Sequence, residues 1–369
     1  MVDTIRLSHH AAGQSGRTLT FHRAIDPLST MLELVPQFLY DRQFYRRVRV
    51  TEGAQPKSFG KLAIFLLYQP DGLAPSTYQT IKHLAAKGYA VVAVSNAAIC
   101  QDAREELRAS LALLVERPNY GHDFGGYRDG LRVVLDRGMV PARLLLLNDS
   151  IWFPLSAHET LLTEMEDATD GLTGPVYERK TGRRHAGHFE SYMMMIGREG
   201  LTSPAFLRFW QSYRLSSTRR KVLARGEKGF SRALLDAGVP SKVLASRQAF
   251  AAAIEKASSE FLVNAIRYAE HDSDQLERRR RSLLGLSIDD GRTADLIRAH
   301  IHEVSRTTSI QEAFPLASMQ IFNLPFLKKR QTGSSVAMRR AFLRAVDAGL
   351  LDEPDPQVLL EIRNLTPPV

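Results

Sequence analysis

Lys61-Leu62-Ala63-Ile64-Phe65-Leu66-Leu67-Tyr68, followed at once by Gln69-Pro70-Asp71-Gly72, is the stretch on which the fold turns. A strand with one wet face alternates apolar and polar residues, whereas an unbroken apolar run is what a strand covered on both faces requires. Pro70, Asp71 and Gly72 then end the run in a turn. A helix from about Pro75 to Ala86 stops at Gly88, and a second apolar run, Tyr89-Ala90-Val91-Val92-Ala93-Val94, ends on the polar pair Ser95-Asn96. Together these form a βαβ unit.

The alternation continues downstream. A charged helix around Gln101 to Ser110 leads to the run Leu111-Ala112-Leu113-Leu114-Val115, a glycine-rich loop from Asn119 to Gly126, a helix across Leu131 to Asp136 and a strand from Leu144 to Leu147. This pattern predicts an α/β fold, a mostly parallel sheet with helices on both faces. Further strands are expected at Gly171 to Val176 and, after a polar loop through Arg184, at Phe189 to Ile196, with a helix from Pro204 to Tyr213. Residues 1–59 read as a leading arm with a helix from Leu28 to Tyr45. Residues 60–245 read as the main domain and 246–369 as a charged helical region.

Composition narrows the classes. Of 369 residues 44% are hydrophobic and 24% charged, as in an ordinary globular chain rather than a disordered or fibrous one. The single Cys100 closes no intramolecular disulfide, and no Cys/His spacing fits a structural zinc site. Neither an apolar signal region nor a spanning segment of roughly 20 apolar residues occurs, so a cytoplasmic protein, peripheral at most at the inner membrane face, is expected. Lys and Arg outnumber Asp and Glu by 49 to 40, for a net charge of +9, which favours anionic partners: phosphorylated ligands or an anionic membrane surface. Nucleic acid is not expected, because the basic residues are scattered and no recognition motif accompanies them.

In open α/β sheets ligands bind beyond the carboxyl ends of the strands. Four polar tips lie in such places. Ser95-Asn96 ends the second strand. The loop carrying Asn119, Gly121, Asp123 and Gly125 offers backbone N–H groups to a diphosphate that Arg128 would neutralise, although a tight turn capped by Asp123 accounts for it equally well. Asn148-Asp149-Ser150 places oxygens where a divalent cation would meet phosphates, with a plain turn as the alternative. His188 and Glu190, at the opening of a later strand, are further candidates to face the cleft, although a lone histidine near a strand is more often a satisfied structural group and Glu190 shares its face with Tyr192. Glu227, just ahead of a helix from Arg232 to Asp236, is a candidate general base, though a carboxylate at a helix start commonly only complements the dipole. The row Met193-Met194-Met195 is expected to be core, and Arg278 to Arg281 and Lys328-Lys329-Arg330 to be solvated helix faces able to meet anionic lipid.

Taken in order, Lys61 to Leu66 with Pro70-Asp71-Gly72, Val94-Ser95-Asn96, Asn119-Tyr120-Gly121-His122-Asp123-Phe124-Gly125-Gly126-Tyr127-Arg128-Asp129-Gly130-Leu131, Leu145 to Ser150, His188-Phe189-Glu190-Ser191-Tyr192, Ser203 to Trp210 and Gly226 to Gly238 resemble the rhamnan synthesis protein F family. The resemblance runs from about Lys61 to Val243, with an echo at Asn323 to Lys328. It implies a GT-A-like fold and a glycosyltransferase that moves a sugar, often rhamnose from dTDP-rhamnose, onto a growing glycan or lipid-linked acceptor. By similarity Ser95 and Asn96 would lie near the nucleotide, Asp123 near the donor, and Asn148-Asp149-Ser150 where GT-A enzymes carry a metal-binding Asp-x-Asp motif for Mn²⁺ or Mg²⁺. Asn148 replaces the first carboxylate of that motif, which leaves Asp149 as the metal ligand and weakens the hold on a cation. Lys228 stands where many GT-A enzymes carry the base, so either Glu227 takes that role or another carboxylate does, with Asp123 the second catalytic candidate. Glu190 stands where the family more often has an amide. A catalytically inactive nucleotide- or glycan-binding module, or a membrane-recruited scaffold of polysaccharide assembly, are the alternatives.

Overall fold

The computed structural model describes residues 27–55, 60–179, 187–287 and 291–367. The first 26 residues of the expected arm and the expected loop through Arg184 lie outside them. In chain order the strands are β1 (Arg49–Glu52), β2 (Lys61–Leu67), β3 (Ala90–Ser95), β4 (Leu113–Glu116), β5 (Arg143–Asn148), β6 (Ile151–Trp152), β7 (Leu172–Arg179), β8 (Gly187–Phe189), β9 (Met193–Ile196), β10 (Ser241–Ala245) and β11 (Leu327–Lys328). The helices that shape the site are α1 (Pro27–Arg42), α2 (Phe44–Arg47), α3 (Pro75–Ala86), α4 (Gln101–Arg108) and α5 (His122–Asp136).

The main sheet has the order β1-β4-β3-β2-β5-β9-β7-β10, with β8 paired to β7. Strands β4, β3, β2 and β5 are parallel, β9 runs antiparallel between β5 and β7, and β10 is parallel to β7. The chain winds outward from β2 through β3 to β4 and then returns to β5 on the other side of β2. Strand order therefore reverses between β2 and β5, where a doubly wound sheet leaves a crevice.

Side-chain alternation divides the apolar runs between two cores. Ala63, Phe65, Leu67, Val91, Leu145 and Leu147 enter one, and Leu62, Ile64, Leu66, Val92, Leu144 and Leu146 the other. Met193 and Met195 join the first and Met194 the second, so the methionine row is core on both faces. Helices after Ala245 supply Phe250, Ile254 and Leu262 to the first core, and Phe314, between two short helices, joins them. A third cluster gathers Trp152 and Leu155 with Leu327, Phe342, Val358 and Ile362.

Several elements differ from the sequence reading. Residues 49–52 of the leading arm add β1 antiparallel to β4 at the sheet edge. The expected strand from Phe189 to Ile196 is two short strands, β8 and β9, separated by a turn at Ser191 and Tyr192. Helix α5 begins at His122, which puts Gly125 and Gly126 inside a helix rather than in a loop. Glu227 lies within continuous helix: Arg219–Val222, a π-helical turn at Leu223–Glu227 and Lys228–Asp236 follow one another without a break. Lys328 forms β11, paired antiparallel with β6, instead of a solvated helix face. Among the described residues no helix is long and apolar enough to cross a membrane.

Candidate active site

A cleft of about 340 Å³ opens beyond the carboxyl ends of β2 and β5, at the reversal of strand order. Its walls are Tyr68 and the turn through Gly72 from β2, Asp149 from β5, and Lys329 and Glu361 from the far end of the chain. Asp149 is fixed by its neighbours: Oδ2 accepts hydrogen bonds from the Tyr68 N–H at 2.8 Å and from Gln69 Nε2 at 2.9 Å. Asn148, buried, turns its Oδ1 back to accept from the Ser150 N–H at 3.1 Å and Ser150 Oγ at 2.5 Å. The amide therefore shapes the turn, and Asp149 alone of the three presents a carboxylate to the cleft. Lys329 donates to Ser76 Oγ at 2.7 Å and lies 3.1 Å from Glu361.

The approach to α5 is bent by two consecutive left-handed residues, Gly121 at φ 86° and His122 at φ 50°. The Gly125 N–H is consumed inside the helix by the Gly121 carbonyl at 2.9 Å, so it does not face a ligand. The helical glycines serve close packing instead. A Cβ at Gly126 would strike Leu66, and one at Gly130 would lie 2.7 Å from Val94 and 3.1 Å from Ile64. Arg128, expected at a diphosphate, is engaged by Asp41 with two 2.8 Å hydrogen bonds. Asn119 is exposed.

Ser95 closes a local turn by donating to the Ala97 carbonyl at 2.6 Å. Asn96 meets a buried network that the sequence reading missed. Arg117 donates to Asn96 Oδ1 at 2.6 Å and to Asp129 Oδ2 at 2.6 Å, its other nitrogen reaches the Tyr120 carbonyl, and Tyr40 donates to Asp129 at 2.5 Å. Both charges of the pair are fully buried and bonded on several sides, so breaking the pair would cost about 3–5 kcal/mol. The signal available was a charged residue directly after β4 and an aspartate on the inward face of α5. Asn96 thus contributes to holding the α5 start against the strand tips.

Beside the cleft lies a group of carboxylates. The surrounding protein strips the Asp123 carboxyl of hydration, and the charges of Asp149 and Glu227 act in the same direction, so its pKa is raised although the residue keeps an exposed surface. Glu227 is buried in the π-helical turn. One oxygen accepts the Ser191 N–H at 2.8 Å and the other lies 3.6 Å from His188 Nε2. Such turns occur frequently at functional sites. Being inside a helix, Glu227 does not have the role of complementing a helix start. Tyr127, fully buried, donates to the Ser191 carbonyl at 2.8 Å, so both sides of the β8–β9 turn are pinned.

Glu190 lies in that turn rather than on a strand face with Tyr192. Desolvation, opposed by Lys328 and reinforced by Glu227 and Glu178, pushes its pKa up to about 7. Lys328 stands 3.8 Å from Glu190 and 3.4 Å from Glu312. His188 lies opposite Glu178 across the β7–β8 pair. The ligand atoms of Glu178, His188 and Glu190 lie within 4.8 Å of one another, the one group among the described residues with that convergence. Two carboxylates and an imidazole suit Mn²⁺ better than Mg²⁺. Asp149 is outside that group, and one of its oxygens already accepts two hydrogen bonds. The structure thus brings Asp123, Asp149, Glu227, His188 and Glu190 to one end of the sheet and commits Arg128 and Gly125 elsewhere.

Residues 91–267 match the rhamnan synthesis protein F family. The uncharacterized protein y4gN of Sinorhizobium fredii is 31% identical over 214 residues, 56% of this chain. The chain thus spans little more than half, 56%, of that relative's length. A mannosyltransferase of Pyrobaculum calidifontis, solved with GDP-mannose and Mn²⁺, is 13% identical and aligns over 90% of this chain and 94% of its own, with a TM-score of 0.32. A likeness of that degree assigns no role to any residue here. The family match covers Asn96, α5, the Asn148 turn, His188, Glu190 and Glu227, and stops before Lys328 and Lys329.

Proposed function

We propose that this chain is a glycosyltransferase of GT-A-like fold that transfers a sugar from a nucleoside diphosphate to a hydroxyl of a growing glycan or lipid-linked acceptor. The proposed sugar is rhamnose and the proposed donor dTDP-rhamnose or a close analogue, a reading the match to a rhamnan synthesis family supports. The observation that carries this reading is the cleft at the β2–β5 reversal, with Asp149 in its wall and Asp123 and Glu227 coupled by charge beside it. The donor diphosphate would lie against Lys329, the one cation lining that cleft among the described residues. The sugar would extend toward Asp123.

The mechanism is a single displacement. The acceptor oxygen bonds to the anomeric carbon, the bond from that carbon to the diphosphate oxygen breaks, and the hydroxyl proton passes to Glu227, held by the Ser191 N–H. Asp123 orients the sugar hydroxyls at the mouth of the cleft. Glu178, His188 and Glu190 would hold a divalent cation, which supplies positive charge to the leaving diphosphate when bound. A turnover screen across nucleoside-diphosphate sugars, followed by NMR of the first-formed anomer, tests the reading. Transfer with inversion supports it, while retention overturns the single displacement and the absence of any turnover overturns the transferase.

A further inference from the structure

Helix α1 is built inside out. From Glu33 onward the side chains it turns to the protein carry polar groups, Tyr40 adding its ring to the core. Glu33 meets Lys221 at 2.9 Å, Arg225 at 2.8 Å and Ser216 at 2.7 Å, and Gln37 accepts from the Leu215 N–H at 3.0 Å. Tyr40 bonds Asp129, and Asp41 bonds Arg128. The residues it turns away are apolar: Leu34, Val35, Phe38 and Leu39 are exposed, Val35 and Phe38 to 63% and 62%. On a helix of 3.6 residues per turn these four fall within an arc of about 140°. A surface helix of a free-standing protein shows the opposite arrangement, and a grouped apolar exposure marks an interaction surface.

The charge around this face identifies the partner. Arg42 lies in the same arc one turn beyond Phe38, and Arg46 and Arg47 follow on α2, all three exposed. We propose that α1 and α2 dock in the plane of an anionic lipid surface, with Val35 and Phe38 entering the acyl boundary and Arg42, Arg46 and Arg47 meeting lipid phosphates. A second copy of the chain fits less well, because a two-fold contact through this face would set the same arginines against each other. The arginine run of the C-terminal region does not compete. Arg280 and Arg281 are both bonded to Glu277, and Arg279 pairs with Glu303. Lys328 and Lys329 are held by carboxylates at the cleft.

Flotation of the full chain with phosphatidylglycerol–phosphatidylcholine vesicles, against phosphatidylcholine alone and at low and high salt, tests the proposal without reading turnover. Its outcome is therefore separate from that of the proposed function. Binding should require the anionic lipid and weaken with salt. The double variant Val35→Glu/Phe38→Glu should lower partitioning about tenfold or more, with an unchanged melting temperature because both side chains are already exposed. Arg46→Gln and Arg47→Gln should each lower it about fivefold. Failure of the wild-type chain to bind, equal binding to both vesicle types, full binding by the glutamate variant, or a concentration-dependent dimer that this variant dissolves would each overturn it.

Discussion

Glu227 and Glu190 share a small volume but differ in how they are held. Glu227 has a backbone N–H on one oxygen, whereas Glu190 is desolvated among like charges and its pKa is near 7. Glu227→Gln should lower kcat by ~10²–10⁴-fold, the usual contribution of a positioned base. Glu190→Gln removes one of the three candidate cation ligands and should raise the Mn²⁺ concentration needed for half-maximal turnover about tenfold or more, with most of the turnover restored at saturating Mn²⁺. If Glu190→Gln proves as inactive as Glu227→Gln, Glu190 is the proton acceptor. Which residue types gather here was legible in the sequence, because polar residues after buried strands have few other places to lie. Their individual duties were not. That Asn148 folds back on Ser150 is one of several local turns the same residues could make, and that Arg128 belongs to Asp41 depends on a contact far apart in the chain.

Helix α5 shows how an element can be misread while its position is read correctly. Three glycines near its start resemble a phosphate-cradling loop, yet Gly126 and Gly130 let the helix lie against β2 and β3. Gly130→Ala would force Val94 and Ile64 aside and should destabilise the fold by about 1–3 kcal/mol in urea unfolding, with little change in the affinity of the protein that remains folded. The parallel strands were legible because apolar runs covered on both faces allow few other interpretations. The β8–β9 turn was not, because Met193 to Ile196 is core in either direction and the turn is set by Glu227 and Tyr127 from elsewhere. The amphipathic sense of α1 likewise becomes visible only once Glu33 and Gln37 are seen to face inward.

At the scale of the molecule, the C-terminal half completes a site that the strand tips begin. Strand β11 pairs with β6, and the Lys329 N–H donates to the Ser150 carbonyl at 2.8 Å, so Lys329 reaches the wall opposite Tyr68. A basic run in sequence gave no sign of this, since the pairing joins Ile151 and Trp152 to residues nearly half the chain away. Lys329→Ala should raise the donor KM about tenfold and leave acceptor KM near its original value, as loss of a phosphate-binding cation would. The same half carries a pH sensitivity. His300 is buried against His271, with Nε2 atoms 3.2 Å apart. Desolvation, then His271 and the neighbouring arginines, depress its pKa from 6.5 to about 4. A histidine depressed in the folded state binds protons more readily when unfolded. Its contribution is thus complete above about pH 6.5 and is lost as the pH falls toward 4. Melting temperatures measured across that window should fall, and His300→Asn should flatten the slope.

The claim on which the rest depends is that a sugar nucleotide occupies the crevice between the tips of β2 and β5. Calorimetric titration of the nucleoside-diphosphate sugar that supports turnover, into the wild-type chain and Asp149→Ala, addresses it directly. Saturable binding to the wild-type chain is expected, with an affinity about tenfold weaker or worse for Asp149→Ala at a temperature where both proteins are fully folded. Equal affinity for the two proteins would contradict it.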